Sequence, residues 1–458
     1  MKMKVLILNP PARHGFTRDG RCQSEENTWL SAFPPVMLAG IAGAVREKYE
    51  VKLIDAIGTH LSYDRCIELI KKYKSDFSII NTSIPTFEGD IKTAQMVKKI
   101  TKSKVIVYGE FVTSAYKEVL KKYYFIDYVV RGEAETPIMN ILKGKARNSG
   151  IASRSYNGGI WQEPELDKLT MPAYDLLPPY YYPLKGKRWM FIRSGRGCPY
   201  NCLFCVVPKL SGRKLRYHSV DYMIRQIRFI NNRGIYYFML WDDIATYDKK
   251  RMLDFCIEMK RTGLYKKNKW ACTTRVDRLD EALAKNMKEA GCFMISLGIE
   301  SASQKVLNLN RKGIKVEDST RAVNAARKYG IKTIGHFIIG LPGDNKKTIN
   351  ETISFAKKLK LSFAQFYTVA TYRGSELYEQ AQKEGWLKEK GYAKIDQARA
   401  NVSYSQLSDL EIEQFRRKAY LRFYLRPRAI YSLSSSISLV VLLKMPLLIK
   451  KFFKWVFK

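Results

Sequence analysis

Three cysteines stand within eight residues in Gly195-Arg196-Gly197-Cys198-Pro199-Tyr200-Asn201-Cys202-Leu203-Phe204-Cys205. The C-x3-C-x2-C spacing, in a turn rich in Gly, Pro and Asn, can fold three thiolates around one metal centre. A four-iron cubane is normally held by four thiolates, so three of them leave one iron open to another ligand. An open iron implies chemistry, whereas a closed site implies structure. The competing reading is a zinc knuckle, which wants a fourth Cys or His at a matching spacing. The nearest histidine, His218, lies thirteen residues on and in no paired motif. Cys22, Cys66, Cys256, Cys272 and Cys292 are scattered singly, the pattern of buried small apolar residues.

Thiolates on a turn need a frame, and the chain from 187 to 382 supplies one. Strand-like runs at 190–194, 236–241, 270–273, 294–298, 333–337 and 363–369 alternate with helical patterns at 220–231, 250–263, 280–289, 316–329 and 345–358. Six such units fit a partial (β/α)6 barrel, whose chemistry belongs at the carboxyl ends of its strands. Asp242 and Asp243 follow the second strand, where carboxylates suit an ammonium group by charge-assisted hydrogen bonds or else cap the next helix. Arg275 follows the third strand, and its planar fork suits a carboxylate. His336 stands on the fifth strand among apolar neighbours and reads more readily as a core histidine than as an acid or base.

Residues 1–145 alternate strand patterns at 4–9, 51–55, 77–82, 104–108 and 128–130 with helical ones at 35–48, 62–74, 90–102 and 115–122. This is the texture of a doubly wound, Rossmann-like α/β domain, which binds ligands at the carboxyl ends of its strands. Pro10, Pro11, Thr82, Ser83, Gly109, Glu110, Gly132 and Glu133 lie there. No G-x-G-x-x-G follows the first strand, so a dinucleotide is poorly supported. The polar insertion at 13–29 is long enough to be functional, and its Cys22 either meets a ligand or is a loop cysteine without a role. Residues 146–186, with Pro164, Pro172, Pro178, Pro179 and Pro183, read as an extended linker.

Residues 383–428 are helical and polar, and 429–458 form a different segment. Its apolar part at 434–449 is broken by Lys444 and Pro446, then comes Lys450-Lys451-Phe452-Phe453-Lys454-Trp455-Val456-Phe457-Lys458. A bilayer crossing needs about 20 uninterrupted apolar residues. The tail is therefore expected to lie on an anionic membrane surface, the alternative being a terminal helix packed on the protein or a partner. The 80 Lys+Arg against 43 Asp+Glu give a formal charge of +37, which draws the chain to RNA, DNA or an anionic bilayer. A hydrophobic content of 46% excludes a disordered protein. With no signal peptide before the first strand, the expected place is the cytoplasm, peripheral on the cytoplasmic membrane face.

The cysteine triad with Phe204 before its last member resembles the signature of the radical S-adenosylmethionine (SAM) superfamily. In that family the open iron chelates the amino and carboxylate groups of SAM, and electron transfer cleaves it to a 5′-deoxyadenosyl radical. The resemblance implies a 4Fe-4S cluster on Cys198, Cys202 and Cys205. It implies SAM at Phe204, Asp242, Asp243, Arg275, Glu300, Ser301, Ile338 and Gly340. Ser296-Leu297-Gly298-Ile299-Glu300-Ser301, continued by Lys312-Gly313, is similar to the family's Gly-Ile-Glu-Ser segment. Departures exist: Asp242-Asp243 stand where Gly-Gly-Glu is common, and Thr371 and Arg373 replace prolines beside Tyr372 and Gly374.

The amino-terminal half resembles the cobalamin-binding domain that precedes many such barrels. This implies cobalamin at Pro10, Pro11, Thr82, Ser83, Gly109, Glu110, Gly132 and Glu133. The D-x-H-x-x-G motif is absent, since His14 lacks the preceding Asp, and Gly109-Glu110 replaces a frequent Gly pair. A degenerate domain that covers the barrel or binds substrate is the alternative. The segment from Arg416 to Arg428 is similar to lipid-directed members of this class B cobalamin-type group, including the hopanoid cyclitol-ether enzyme. The resemblance thus implies a radical SAM enzyme that methylates, cyclises or rearranges an unactivated carbon of a lipid or isoprenoid, with an electron donor of flavodoxin or ferredoxin type. Two other readings stand beside it. One is modification of tRNA or rRNA, which the charge serves equally, although no further cysteine triad or RNA-binding barrel is visible. The other is a non-catalytic, membrane-associated cluster protein.

Overall fold

The computed structural model describes residues 2–12, 33–182, 185–388, 395, 397, 399–404 and 406–437. The insertion carrying His14 and Cys22, and the tail from 438 onward, lie outside the described residues.

The amino-terminal domain is built on strands β1 (Lys4–Asn9), β2 (Glu50–Asp55), β3 (Phe77–Asn81), β4 (Lys104–Tyr108) and β5 (Tyr128–Val130). Helices α1 (Val36–Arg46), α2 (Tyr63–Tyr73), α3 (Phe87–Thr101), α4 (Glu110–Lys122) and α5 (Glu135–Leu142) connect and follow them. The five strands are parallel in the order β2-β1-β3-β4-β5. In β1, Val5, Leu6, Ile7 and Leu8 are all fully buried, as a strand covered on both faces requires. Val5 and Ile7 meet α1 and α5, whereas Leu6 and Leu8 join the core under α2, α3 and α4. The order reverses between β1 and β3, so the crevice at their carboxyl ends is a topological switch point.

The connector departs from an extended linker. Strands β6 (Ile151–Ser153) and β7 (Tyr156–Asn157) form a hairpin that extends the first sheet antiparallel to β5. Ile151 and Ala152 drive this by burying against that sheet's edge. Beyond it the proline-rich chain is a strap, pinned where the Ala173 amide donates to the Ala39 carbonyl at 2.8 Å.

The second sheet holds β8 (Tyr181–Tyr182), β9 (Lys187–Ile192), β12 (Tyr237–Leu240), β13 (Lys269–Arg275), β14 (Cys292–Glu300), β15 (Lys332–Ile339) and β16 (Phe363–Thr368). Between β9 and β12 lie the ribbon β10 (Gly195–Arg196) and β11 (Arg216–Tyr217), with α6 (Val207–Leu210) between its strands and α7 (Val220–Asn231) after it. From β9 to β16 the six long strands run parallel in chain order. Helices α8 (Lys249–Arg261), α9 (Glu281–Glu289), α10 (Gln304–Leu309), α11 (Val316–Lys328) and α12 (Lys346–Lys358) complete the units. This is the expected open half-barrel.

After α13 (Glu376–Lys383), helix α14 (Asp409–Tyr424) lies along β16, and α15 (Pro427–Ser434) follows. An open barrel leaves an edge strand whose amides and carbonyls need partners. Here tyrosines supply them: Tyr420 Oη accepts from the Phe366 amide at 3.1 Å, and Tyr424 Oη donates to the Ala364 carbonyl at 2.8 Å.

Candidate active site between the two sheets

The carboxyl ends of both sheets enclose one cavity of about 370 Å3. The cluster loop enters it from the barrel side, and the cavity is lined by Cys198, Cys202, Phe204 and Cys205. Three backbone ties fix that loop. Cys198 N donates to the Gly212 carbonyl at 3.0 Å, Leu203 N to the Asn310 carbonyl at 3.1 Å, and Leu377 N to the Leu203 carbonyl at 2.9 Å. Gly197 sits at φ +96, where a Cβ would stand 2.4 Å from the Lys214 carbonyl oxygen, so the entry turn takes glycine alone. Among the described residues, no three Cys, His, Asp or Glu side chains converge on a point fit for a single ion. A triad of thiols on one loop, shielded by Val207, Ile244 and Tyr247, suits a cluster whose irons take one thiolate each.

The residues expected around SAM divide. Asp243, Arg275, Glu300 and Ile338 line the cavity. Arg275 is fixed by Asp277 at 2.9 Å and by the Lys312 and Gly313 carbonyls at 2.8 and 3.0 Å, with its guanidinium 3.4 Å from the Tyr200 ring centre. Glu300 adopts φ +67, a left-handed backbone rare for a side chain of this size, and its carboxylate pairs with Lys312 Nζ at 2.7 Å. Asp242 lines the cavity too, yet its carboxylate accepts from the Ser194 and Gly195 amides at 2.6 and 2.8 Å and from the Ser194 hydroxyl. Burial raises the Asp242 carboxyl pKa, opposed by Arg251 and these bonds. Its work is to shape the approach to the cluster loop.

Ser301 and Gly340 are not among the lining residues. Ser301 Oγ accepts from the Ser303 amide at 3.1 Å, in the turn that leads into α10. Gly340, at φ +87, is covered by Ile412 of α14, whose side chain would lie 2.8 Å from a Cβ there. Its amide donates to Asp344, whose carboxyl burial pushes up to about 6.

Across the cavity, Thr82, Gly109, Glu110, Gly132 and Glu133 line the wall formed by the first sheet, with Asn81, Tyr108 and Thr113 beside them. Pro10, Pro11 and Ser83 do not reach it. The Ser83 amide instead donates to Asp90 at 3.1 Å in the turn before α3. Gly109 holds φ +141 with the site of a Cβ only 2.1 Å from the Thr82 carbonyl oxygen, so this point of the wall takes glycine alone. A wall of strand ends with glycines at Gly109 and Gly132 and polar groups beside them fits a large cofactor lying against the backbone. His336, the single histidine among the described lining residues, stands on the opposite, barrel side.

Glu133 belongs to an ionic group that the sequence reading did not find. Its carboxylate pairs with Arg216 at 2.7 Å and Arg196 at 3.2 Å, and Glu135 pairs with Arg196 at 2.6 Å, all four side chains being buried. Burial opposes the Arg196 charge, but Glu135 and Glu133 override it and hold the guanidinium ionised. Since Arg196 lies two residues before Cys198, this group ties the first domain to the cluster loop. Also unforeseen were the aromatic walls: Trp241 stacks on Phe191 at 4.3 Å, and Phe33 packs edge-on to Trp189 and Trp241.

A half-barrel with a thiol triad at its mouth, facing a Rossmann-like wall, defines a two-domain enzyme that works between a cluster and a second cofactor. The sequence matches the radical SAM superfamily over residues 192–356 and the B12 binding domain over residues 28–142. An uncharacterized methyltransferase of Pyrococcus horikoshii is 32% identical over 441 residues, spanning 93% of this chain and 94% of the relative. The anaerobic magnesium-protoporphyrin IX monomethyl ester cyclase of Cereibacter sphaeroides is 29% identical over 348 residues, 71% of this chain and 56% of that protein. In fold, the radical SAM methyltransferase TsrM from Kitasatospora setae, solved with cobalamin and a 4Fe-4S cluster bound, aligns with a TM-score of 0.69 at 16% identity, over 96% of this chain and 90% of that one.

The chain belongs to the radical SAM superfamily. Within it, this is a cobalamin-dependent, methyltransferase-like enzyme whose cofactors are a 4Fe-4S cluster, SAM and cobalamin.

Proposed function

We propose that the enzyme methylates, cyclises or rearranges an unactivated carbon of a lipid or isoprenoid substrate. The observation that carries this is the cavity shared by the thiol triad, the polar strand ends of both domains and a lining of Trp189, Trp241, Met239 and Met294. When bound, the cluster with SAM supplies hydrogen-atom abstraction from carbon, and cobalamin supplies a methyl group or an electron.

The residues have separable tasks. Cys198, Cys202 and Cys205 hold the cluster. Phe204, Asp243, Arg275, Glu300 and Ile338 receive SAM, with Arg275 and Glu300 already fixed by the bonds described above. Thr82, Gly109, Glu110 and Gly132 would hold cobalamin. The Trp and Met lining takes the apolar substrate and keeps water from the reacting carbon. A flavodoxin- or ferredoxin-type donor supplies electrons. The charge of +37 and the basic, aromatic tail support a place on the cytoplasmic membrane face, and no described helix is long and apolar enough to cross a membrane.

Anaerobic purification and reconstitution test this reading. About four irons per chain are expected, together with a corrinoid identified by absorbance and mass, and reductive cleavage of SAM. Cys202→Ala is expected to lose both the cluster and the cleavage. Cleavage retained by that variant would refute the assignment of the triad.

A further inference from the structure

Arg193 is a cation without a counter-charge. It follows the end of β9, is partly buried, and lines the cavity between the two sheets. Arg275 and Lys312 line that cavity too, and both are paired, Arg275 with Asp277 at 2.9 Å and Lys312 with Glu300 at 2.7 Å. Arg193 has neutral partners instead. One guanidinium nitrogen, Nη1, donates to the Met37 sulfur at 2.7 Å, a weak acceptor, and Nη2 donates to the Ser211 hydroxyl at 3.3 Å. Glu135, which borders the same small neighbouring pocket, is committed to Arg196, and Glu133 to Arg216 and Arg196. Among the described residues Arg193 therefore stands outside every ion pair, and a charge withdrawn from water is costly until it meets an opposite one.

The Ser211 hydroxyl is the second half of the site. It is buried, lines the same cavity and accepts from Arg193, so its own proton is left to donate. Its backbone is fixed on both sides, the amide donating to the Val207 carbonyl at 2.9 Å and the carbonyl accepting from Arg216. A hydroxyl donor beside a planar guanidinium, on a rigid frame, is an arrangement that takes an oxyanion. The apolar end of the cavity begins on the same strand. Trp189 and Arg193 are four residues apart, so alternation turns both to one side, and a rise of ~3.3 Å per residue separates them by roughly 13 Å. Register brings Met239 and Met294 level through Ala271, and both line the cavity at that depth.

We infer that Arg193 and Ser211 bind the anionic end of the substrate, a carboxylate or phosphate carried by an otherwise apolar molecule. The guanidinium and the hydroxyl donate to its oxygens, while the apolar body extends towards Trp189, Met239 and Met294. This rests on reading the cavity as the chamber for a lipid or isoprenoid. A neutral alcohol or ester leaves the guanidinium uncompensated, so the site selects the acid. The phosphodiester of cobalamin has the same chemistry, and the test separates the two sources.

The holoenzyme, reconstituted with cluster and cobalamin, is titrated calorimetrically with two matched pairs of probes: farnesoic acid against methyl farnesoate, and farnesyl phosphate against farnesol. The anionic member of a pair is expected to bind about tenfold more tightly, the effect of one charge-assisted hydrogen bond. Arg193→Gln should abolish that preference while iron content and the affinity of the neutral member hold. Ser211→Ala should reduce it a few-fold, and it decides the matter if Arg193→Gln does not fold. A preference within one pair alone upholds the inference and names the anion as carboxylate or phosphate. Equal affinity within both pairs, a preference that survives in Arg193→Gln, or no binding of any of the four overturns it. In a second arm, the protein with its cluster but without corrinoid is titrated with cobalamin and with cobinamide, which lacks the phosphodiester. Unchanged affinity for both in Arg193→Gln is expected. Weaker binding of cobalamin, whether or not cobinamide shares the loss, would give the arginine to the cofactor and overturn the inference. SAM cleavage, measured in parallel, reports separately on the enzyme assignment: cleavage retained with equal affinities sinks this inference alone.

Discussion

Asp242 and Asp243 are neighbours with opposite duties. Both residues follow β12 and line the cavity, but the Asp242 carboxylate is taken up by the Ser194 and Gly195 amides. Replacing Asp242 by Asn substitutes an amide that cannot accept as strongly from two N–H groups and a hydroxyl. The expected cost is about 1–3 kcal/mol of stability, with reduced iron retention because Ser194 leads directly into the cluster loop. Asp243→Asn should instead keep its iron and weaken SAM binding about tenfold, the loss of one charge-assisted hydrogen bond. Iron analysis and equilibrium dialysis with SAM, run on both variants, separate the two. Identical losses in both would show that the assignment of separate roles is wrong.

At the scale of elements, the start of α5 with the turn before it and the ribbon β10–β11 are joined by the four buried charges of Glu133, Glu135, Arg196 and Arg216. Removing one partner of a buried group leaves the other charge uncompensated, which costs about 3–5 kcal/mol. Glu133→Gln should therefore lower the urea midpoint far more than a surface change such as Glu68→Gln, whose ion pair with Arg65 is about half exposed. Equal effects from the two would deny the interdomain tie. This group also shows where reading a sequence stops. The parallel strands of both sheets were legible to within a few residues, because apolar runs and helical periodicity are local signals, whereas the short β6, β7 and β8 of the connector were not. The Glu133–Arg216 and Glu135–Arg196 contacts span 83 and 61 residues and leave no local trace. Ser301 and Gly340 were placed by resemblance to the family's strand-end segments, which does not reveal that the turn into α10 and helix α14 claim them here. His336 was read as core because its neighbours in sequence are apolar, whereas its neighbours in space are Tyr367 and Gln365.

For the whole molecule, the question is whether the formal charge of +37 or the tail alone would hold it to a membrane. The two can be separated, because residues 439–458 contain five lysines and no acidic residue, so removing them lowers the formal charge only from +37 to +32. If diffuse charge dominates, the truncated protein should still bind anionic vesicles nearly as well, and salt should release both forms alike. If the tail is an interfacial anchor, its lysines contribute roughly 1 kcal/mol each at an anionic surface, and the buried Phe, Trp and Leu side chains add to that. Leu425, Ile430 and Tyr431 are exposed near the end of the described residues. We expect the second outcome: truncation should cut affinity for phosphatidylserine-containing vesicles by at least tenfold, with iron content unchanged, while the full chain keeps part of its binding in 0.5 M salt, roughly the concentration at which exposed charges are screened within a few ångströms. Vesicle flotation at low and high salt measures both quantities. Unchanged binding after truncation would remove the anchor and leave the charge of the folded domains as the sole attraction.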